Sequence, residues 1–328
     1  MKHNFKSLVA IVLSCSIILS VTDNIPKTAK ASSTYKLNNP TMDSDGVSTW
    51  DCIWFGNYWQ NDTNGDGVAD KNDEKQPIKW RILSVDGDDA FILADQNLDV
   101  KQYNEIARSF NTWGQCTCRS WLNGYDASAN QEGKDYTNDN FLDNAFSNVE
   151  QDAIKITNVV NEKNPDWDTN GGKDTKDKVY LLAISEASNE SYGFYSNYRT
   201  ESKTREAKNT EYTKKCGAHT STNGSYSGNG QWWLRTQGIN TNVTSYINDD
   251  GECISYIRFC NVDDTSVGVR PALHINLSSS NLWSYAGTVC SDGTVDEVKY
   301  DESQKNNSSI IEAVKKYSTD NETFKKCF

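Results

Sequence analysis

The sequence predicts an α+β fold, because strand-like segments open the folded part, helical patterns follow, and short strands return towards the end. The opening strands lie at 52–58 and 77–94, the helical patterns at 119–154 and the closing strands at 232–277. Since these groups do not alternate as a repeated βαβ unit, we expect short antiparallel sheets with two or three helices and long loops.

Aromatic and β-branched residues define the opening strands. Residues 52–58 read Cys-Ile-Trp-Phe-Gly-Asn-Tyr, a composition that favours a strand. Residues 77–83 and 90–94 are apolar runs on either side of an Asp-Gly turn, and this arrangement predicts a β-hairpin.

Helical signals follow the hairpin. Trp121 and Leu122 belong to a short helix that stops at Asn123-Gly124, and apolar residues at 141–154 recur at helical spacing behind a potential cap, Asn140. An apolar strand is expected at 179–184. Residues 188–230 are polar and too long for a plain connector, so we expect a loop that is either disordered or functional.

The closing strands are short and separated by turn residues. They are expected at 232–235, 243–247, 253–259 and 267–277. The domain is therefore placed at 49–292, between a linker at 32–48 and a charged tail with a short helix at 293–328.

The first 31 residues have the pattern of an export signal. Lys2 and Lys6 give a basic start, residues 8–21 are apolar, and Ala29-Lys30-Ala31 is a small-x-small cleavage pattern. The apolar run is short for a membrane span, which disfavours the alternative of an uncleaved anchor. We therefore expect a secreted, extracellular chain that is not inserted in the membrane after cleavage after Ala31.

The charge and the cysteines fit that location. Cleavage after Ala31 removes four basic residues and one acid, which moves the net charge from −12 to −15. Such a field repels phosphates and excludes nucleic acid as a partner. The eight remaining cysteines favour disulfides outside the cell, with local pairing of Cys253 with Cys260 and of Cys290 with Cys327 among the alternatives.

An acidic loop between the first strands has the spacing of oxygen ligands in a calcium loop. Its candidate ligands are Asp62, Asn64, Asp66, the carbonyl of Val68, Asp70 and Asp73. Gly67 allows the sharp turn in the middle. Position twelve is Asp rather than Glu, and Pro77 blocks a long exiting helix, so the loop resembles a thrombospondin type 3 or dockerin-like calcium loop more than an EF-hand. The alternative is a solvated acidic turn.

A second acidic loop has the same spacing. Its candidate calcium ligands are Asp166, Asp168, Asn170, Asp174 and Asp177. The alternative is a Gly-rich turn that leads into the strand at 179–184. Calcium is the one cofactor that the sequence predicts.

No motif in the sequence predicts a catalyst. His274 lies in an alternating strand, which favours a structural role, and His219 is the other histidine beyond the signal. A zinc site built from Cys116, Cys118, Cys216 and His219 is an alternative to disulfides, which an oxidising location favours.

Six motifs together carry a resemblance to a known family. They are Trp54-Phe55-Gly56-x-Tyr58, Pro77-Ile78-x-Trp80-Arg81-Ile82-Leu83, Arg119-x-Trp121-Leu122-Asn123, Gly171-Gly172-x-Asp174-Thr175-x-Asp177-Lys178-Val179-x-Leu181-Leu182, Trp232-Trp233-Leu234-Arg235 and Gly268-Val269-Arg270-Pro271-Ala272-Leu273. In this order they resemble the uncharacterised bacterial extracellular family called domain of unknown function 6273, over residues 50–292. The Gly-Val-Arg segment is more remotely similar to formylglycine-generating enzymes, and that similarity implies a C-type lectin-like fold.

The resemblance leaves three functions open. The leading one is a calcium-stabilised domain that binds glycans or cell-surface proteins, with Trp232, Trp233, Arg235 and Arg270 as candidate binding residues. For these four residues, a structural role, with a buried arginine stacked on Trp rings, is the favoured alternative. The second function is an oxidase that uses Cys253 and Cys260, whose spacing departs from that of the enzymes. The third is a structural surface module.

Overall fold

Antiparallel β-structure dominates the computed structural model, which describes residues 36–107, 111–240, 242–255, 261–279 and 281–300. Within these ranges fifteen strands form three sheets, and the five α-helices are short. The described residues from Leu37 onwards belong to one compact unit.

The strands are β1 (Thr41–Met42), β2 (Ser48–Tyr58), β3 (Gln76–Asp86), β4 (Asp89–Ala94), β5 (Asp99–Val100), β6 (Thr157–Val159), β7 (Thr175–Asp177), β8 (Val179–Tyr180), β9 (Trp232–Gln237), β10 (Thr244–Ile247), β11 (Cys253–Ile254), β12 (Gly268–Val269), β13 (Ala272–Asn276), β14 (Ser284–Cys290) and β15 (Val295–Glu297). The α-helices are α1 (Thr117–Asn123), α2 (Phe141–Ala145), α3 (Asn148–Ala153), α4 (Ile184–Ala187) and α5 (Glu211–Lys215). Single 3₁₀ turns lie at Trp113–Gln115, Ala127–Ala129, Glu190–Tyr192 and Gly224–Tyr226.

The α+β, C-type lectin-like prediction with two or three helices is wrong. The expected helix at 141–154 is broken, because Phe146 is extended and Ser147 caps a new helix through a reciprocal pair of hydrogen bonds with Glu150. The first helix stops at Gly124, which adopts a left-handed conformation (φ 68°). These local stop and start signals leave helices of only four to seven residues against strands of up to eleven.

The larger sheet has the strand order β15-β14-β2-β3-β4-β13-β8, with β1 added beside β2. The predicted hairpin is confirmed, since β3 and β4 pair as far as Asp86 and Asp89. Their inward side chains form the centre of the apolar core, in which Trp50 and Trp80 are fully buried. These long central strands give the fold its β-rich character.

A five-stranded sheet has the order β11-β10-β9-β12-β5, and β6 pairs with β7 alone. The strand expected at 267–277 is divided, since β12 belongs to the five-stranded sheet and β13 to the larger one. Arg270 lies at the crossing point and Pro271 follows it. The buried guanidinium of Arg270 donates to the carbonyls of Ala94 (2.8 Å) and Asp95 (3.2 Å) and lies 4.9 Å from the ring of Trp232. The arginine therefore holds the two sheets together.

The long segment 188–230 folds around a buried arginine. Arg205 donates to the carbonyl oxygens of Tyr195, Asn197, Thr200 and Gly251 at 2.6–3.0 Å. Four main-chain acceptors satisfy this guanidinium, so the segment wraps a buried cation and is not a plain connector.

Other predictions concern residues outside the described ranges, namely the signal at 1–31, the tail helix, Cys260 and Cys327. Of the cysteines in the described ranges, Cys52, Cys116, Cys118, Cys216 and Cys290 are free thiols, so the predicted disulfides are not seen there. None of the helices in the described ranges is long and apolar enough to cross a membrane.

Candidate functional site

A cavity of about 270 Å³ lies where β4, β6, β8, β13 and α4 come together. Its lining combines aromatic rings with hydroxyl, carboxylate and imidazole groups. The residues that line it are Phe91, Thr157, Asn158, Val159, Val160, Glu162, Tyr180, Ser185, Glu186, Tyr192, Arg235 and His274. A concave, partly apolar surface with a few polar groups is the usual form of a small-ligand site.

Four stacked or edge-on rings form one wall of this cavity. Phe91 and His274 are opposite each other in the β4–β13 register, and their rings stack at 4.6 Å with an interplanar angle of 8°. Tyr180 of β8 stacks on Phe91 at 5.9 Å, and Tyr192 meets Phe91 edge-on at 5.4 Å. Cross-strand pairing thus brings together rings that are nearly two hundred positions apart in the chain.

A buried ion pair forms the polar part of the lining. Arg235 is 5% exposed and donates to both carboxylate oxygens of Glu186, with one of these contacts at 3.0 Å. It also donates to the carbonyls of Leu181 (2.8 Å) and Val160 (3.1 Å). Burial opposes the charge of Arg235, but Glu186 outweighs burial and raises the pKa of Arg235. The carboxylate of Glu186 therefore stabilises the charge of the buried guanidinium.

A second charged group lies behind His274. Asp89 forms a salt bridge with Lys155 (2.8 Å) and contacts Nδ1 of His274 (2.8 Å). Burial opposes ionisation of Asp89, but its contacts with Lys155 and His274 lower the pKa of this carboxyl. The carboxylate of Asp89 therefore holds the imidazole ring of His274 against Phe91.

The two tyrosine hydroxyls of the wall remain protonated at neutral pH. Burial, followed by the charge of Glu186, raises the pKa of Tyr180 well above its ordinary value, and the same two causes raise the pKa of Tyr192. Together with Ser185 and Thr157, these groups offer neutral donors and acceptors. The exposed carboxylate of Glu162 adds a negative charge at the rim.

The four binding residues that the sequence predicted have different positions. Trp232, Trp233 and Arg270 are fully buried in the core, and the two indole N–H groups donate to the carbonyls of Arg205 and Lys101. Arg235 alone among them lines the cavity. Sequence reasoning missed Phe91, Tyr180 and Tyr192 as site residues and gave His274 a structural role. The local signals were the apolar run around Phe91 and the alternation around His274, which do not reveal that the two residues pair.

The first acidic loop, between β2 and β3, is closed by its own hydrogen bonds. The carboxylate of Asp62 accepts from the amides of Gly65 and Gly67, both at 2.7 Å. Asn64 and Asp66 each accept from the amide two positions on, at 2.9 Å. Val68 supplies the amide that donates to Asp66, and the Asp70 carboxylate accepts from Asn72. The predicted ligands thus shape the turn themselves.

Asp73 closes this loop most tightly. Its Oδ1 accepts from the amides of Thr63 and Asn64 and from the Thr63 hydroxyl, and its Oδ2 accepts from the amide of Asp70. These bonds, led by the one from Asp70, lower the pKa of the Asp73 carboxyl. Since Oδ1 is saturated, Asp73 has only Oδ2 left for any further ligand.

The carboxylates of the second loop have separate protein partners. Asp166 accepts from Tyr198 (2.6 Å) and Arg199, and Asp168 pairs with Lys163 (2.8 Å). Asn170 accepts a hydrogen bond from the amide of Gly172, and Asp174 accepts one from the amide of Asn161. The last predicted ligand, Asp177, is fully buried. These side chains do not share a common centre.

Asp177 is the acceptor of a buried network. It takes hydrogen bonds from Arg119 (2.8 Å), Trp113 (3.0 Å), Tyr125 (3.1 Å) and Thr175 (2.6 Å). The network ties α1 and the preceding 3₁₀ turn to β7. All of its donors come from protein groups, which gives this aspartate a structural role.

The side chains of the described residues do not form a metal centre. Within the described ranges no three histidine, cysteine, aspartate or glutamate side chains are grouped so as to hold a metal ion. Of the alternative zinc ligands, Cys116 caps α1 by accepting from the amide of Arg119, whereas His219 faces Asp249. The carboxylates of the first acidic loop are likewise not grouped in this way.

Comparison with known proteins gives one match. No curated protein and no solved structure matches the chain. The family model described as a domain of unknown function, DUF6273, matches residues 87–277, which is more than half of the chain and includes every residue that lines the cavity. The chain belongs to the DUF6273 family.

Proposed function

We propose that this protein is a secreted binding domain for carbohydrate and that the cavity beside Phe91 is its binding site. The observation that carries the proposal is the pair of partly exposed rings, Tyr192 and His274, backed by the buried rings of Phe91 and Tyr180 and lying next to hydroxyl and carboxylate groups. The C–H faces of a sugar ring pack on aromatic faces, while its hydroxyls need neutral donors and acceptors at the edge.

The charges of the cavity favour an uncharged or amino-bearing sugar over an acidic one. Arg235 is neutralised by Glu186, and Asp89 has its charge matched by Lys155. Glu162 adds a carboxylate at the rim, and the chain as a whole carries a net charge of −12. A sugar acid would therefore meet a repulsive field that a neutral sugar does not.

The extracellular location rests on the sequence. The basic start, the apolar run and the Ala29-Lys30-Ala31 pattern support export of the chain. Mass spectrometry of the N-terminus of the protein recovered from culture medium tests this part. A mature chain that begins at Ser32 supports it, whereas a protein that stays with the cells with Met1 in place contradicts it.

Calcium binding at the first acidic loop belongs to the same proposal. The support is the ligand spacing and the lone pairs that remain on Asp62, Asn64 and Asp66 after their bonds to backbone amides. The carbonyl of Val68 and the remaining lone pair of Asp73 complete an oxygen set. The ion would stabilise the connection between β2 and β3 and has no role in the cavity.

Glycan arrays and calorimetric titration of the soluble oligosaccharides that score on them test the binding function. Tyr192→Ala removes one ring of the wall, and we expect it to weaken binding about tenfold or more. Tyr195→Ala is the matched control, because Tyr195 is three positions away, 45% exposed and not part of the lining.

The proposal is contradicted by an array without a hit, with or without calcium. It is also contradicted if the two tyrosine variants bind the selected oligosaccharide equally well. In that case the aromatic wall would be part of the packing of the fold and not a contact surface for sugar.

A further inference from the structure

An exposed tryptophan lies on the loop that borders the cavity. Trp167 is 43% exposed, although seven of the ten tryptophans in the chain are buried. Its indole N–H donates to the hydroxyl of Ser255 at 3.3 Å, so one edge of the ring is fixed while the rest faces solvent. Ile239, which is 41% exposed, donates its amide to the carbonyl of the same serine.

Hydrogen bonds from neighbouring residues hold Trp167 in place. Asn164 accepts from the amides of Asp166 (2.8 Å) and Trp167 (3.2 Å) and donates to the carbonyl of Gln237. Asp166 is tied to Tyr198, Arg199 and Ser255. The carboxylate that the sequence assigned to calcium therefore anchors the base of an indole ring. A ring held in this way loses little conformational freedom when a ligand covers it.

Trp167 and part of the cavity lining belong to the same loop. One loop, between β6 and β7, supplies Val160 and Glu162 to the cavity and then Trp167 to the surface. The loop is tied twice to β9, through Arg235 at the cavity and through Gln237 at the end of the strand. Trp167 follows the cavity residue Glu162 by only five positions in this loop. The cavity lining and the exposed indole are therefore presented by one short segment.

We propose that Trp167 is a second contact for the ligand of the cavity, so that the protein recognises a linear oligosaccharide or polysaccharide chain and not a single sugar. This inference rests on the proposed function of the cavity. The rings beside Phe91 hold one sugar unit, and the indole of Trp167, flanked by Ile239, packs against a unit further along the chain. The exposed Val160 (47%) belongs to the cavity end of this loop.

The test is calorimetric titration of the whole protein with oligosaccharides of increasing length, from disaccharide to hexasaccharide, from the chitin, cellulose and xylan series. For Trp167→Ala we expect unchanged affinity for the shortest ligand that binds and about tenfold weaker affinity for the longest. Trp167→Phe keeps a flat ring and should recover most of that loss. Tyr195→Ala, an exposed aromatic outside both contacts, should bind every ligand as the wild type does.

Each outcome separates this inference from the function of the cavity. If Tyr192→Ala weakens all ligands and Trp167→Ala weakens none, the second contact is overturned and the cavity stands. Equal weakening of short and long ligands by Trp167→Ala also overturns the second contact, because the tryptophan would then act through the fold. If no oligosaccharide binds the wild type but a wall-derived protein binds at Trp167, both proposals fail and the surface is a protein contact.

Discussion

Replacement of Asp177 distinguishes a structural carboxylate from a calcium ligand. The side chain is fully buried and accepts from Arg119, Trp113, Tyr125 and Thr175. Asp177→Ala leaves the guanidinium of Arg119, only 12% exposed, without its carboxylate partner. Removing one member of a buried ion pair costs about 3–5 kcal/mol, and the orphaned indole N–H of Trp113 adds about 1 kcal/mol.

We therefore expect Asp177→Ala to lower the free energy of unfolding by about 5 kcal/mol, which is a large share of the usual 5–15 kcal/mol of a domain. Urea unfolding followed by tryptophan fluorescence measures the change, with excess calcium in one series and chelator in the other. Because all four donors are protein groups, the loss should be the same in both series.

Asp174→Ala is the matched control, since Asp174 belongs to the same loop, is exposed and accepts a single amide hydrogen bond from Asn161. It should change the free energy of unfolding by no more than about 1 kcal/mol. The reasoning would be refuted if Asp177→Ala unfolded at the wild-type urea concentration in chelator and differed from the wild type only when calcium was present.

Three further predictions concern contacts elsewhere in the fold. Arg270→Met removes two hydrogen bonds and the contact with Trp232 at the crossing between the sheets. It should therefore lower the free energy of unfolding, measured in urea, by about 3 kcal/mol. A loss below about 1 kcal/mol contradicts the role of Arg270 in holding the two sheets together. Burial opposes the ionisation of Asp95, but the salt bridge with Arg81 (2.6 Å) lowers the pKa of that carboxyl. The stability difference between the wild type and Asp95→Asn should therefore be full above about pH 4 and shrink as the pH falls through the lowered pKa, and a difference that stays constant from neutral to strongly acidic pH contradicts this. In thermal unfolding, Asp66→Ala should abolish any rise in melting temperature that calcium causes. Asp73→Ala should lower the melting temperature with or without the ion, because it removes hydrogen bonds that close the loop. If calcium shifts the melting temperatures of the two variants equally, the two aspartates do not have distinct roles.

Local signals in the sequence were sufficient for the central hairpin and for β2, β9 and β10, but they did not predict β1, β5, β6, β7, β14 or β15. The Asp-Gly turn between β3 and β4 and the capping side chain of Asn140 are both present as predicted. The fold class was wrong because helical spacing at 141–154 predicts one helix, whereas the serine at 147 starts a second one after an extended residue. A reciprocal cap of this kind overrides apolar periodicity within a single turn.

The candidate site was harder to predict because its parts come from distant segments. Phe91 and His274 meet only through the β4–β13 pairing, and Tyr180 joins them through β8 at the edge of the same sheet. Nothing adjacent in sequence marks this register. Carboxylate spacing, by contrast, is visible locally, but it does not reveal that Asp166 and Asp177 are satisfied by Arg199 and Arg119.

The division of residues 267–277 between two sheets has a consequence for the folding of the whole domain. β12 and β13 are separated by only Arg270 and Pro271, so neither sheet can peel away without pulling on a strand of the other. Partial opening is therefore penalised, and the amides of both strands should exchange with solvent in the same rare event. A single short crossing thereby gives a loop-rich chain the cooperativity of a much simpler protein.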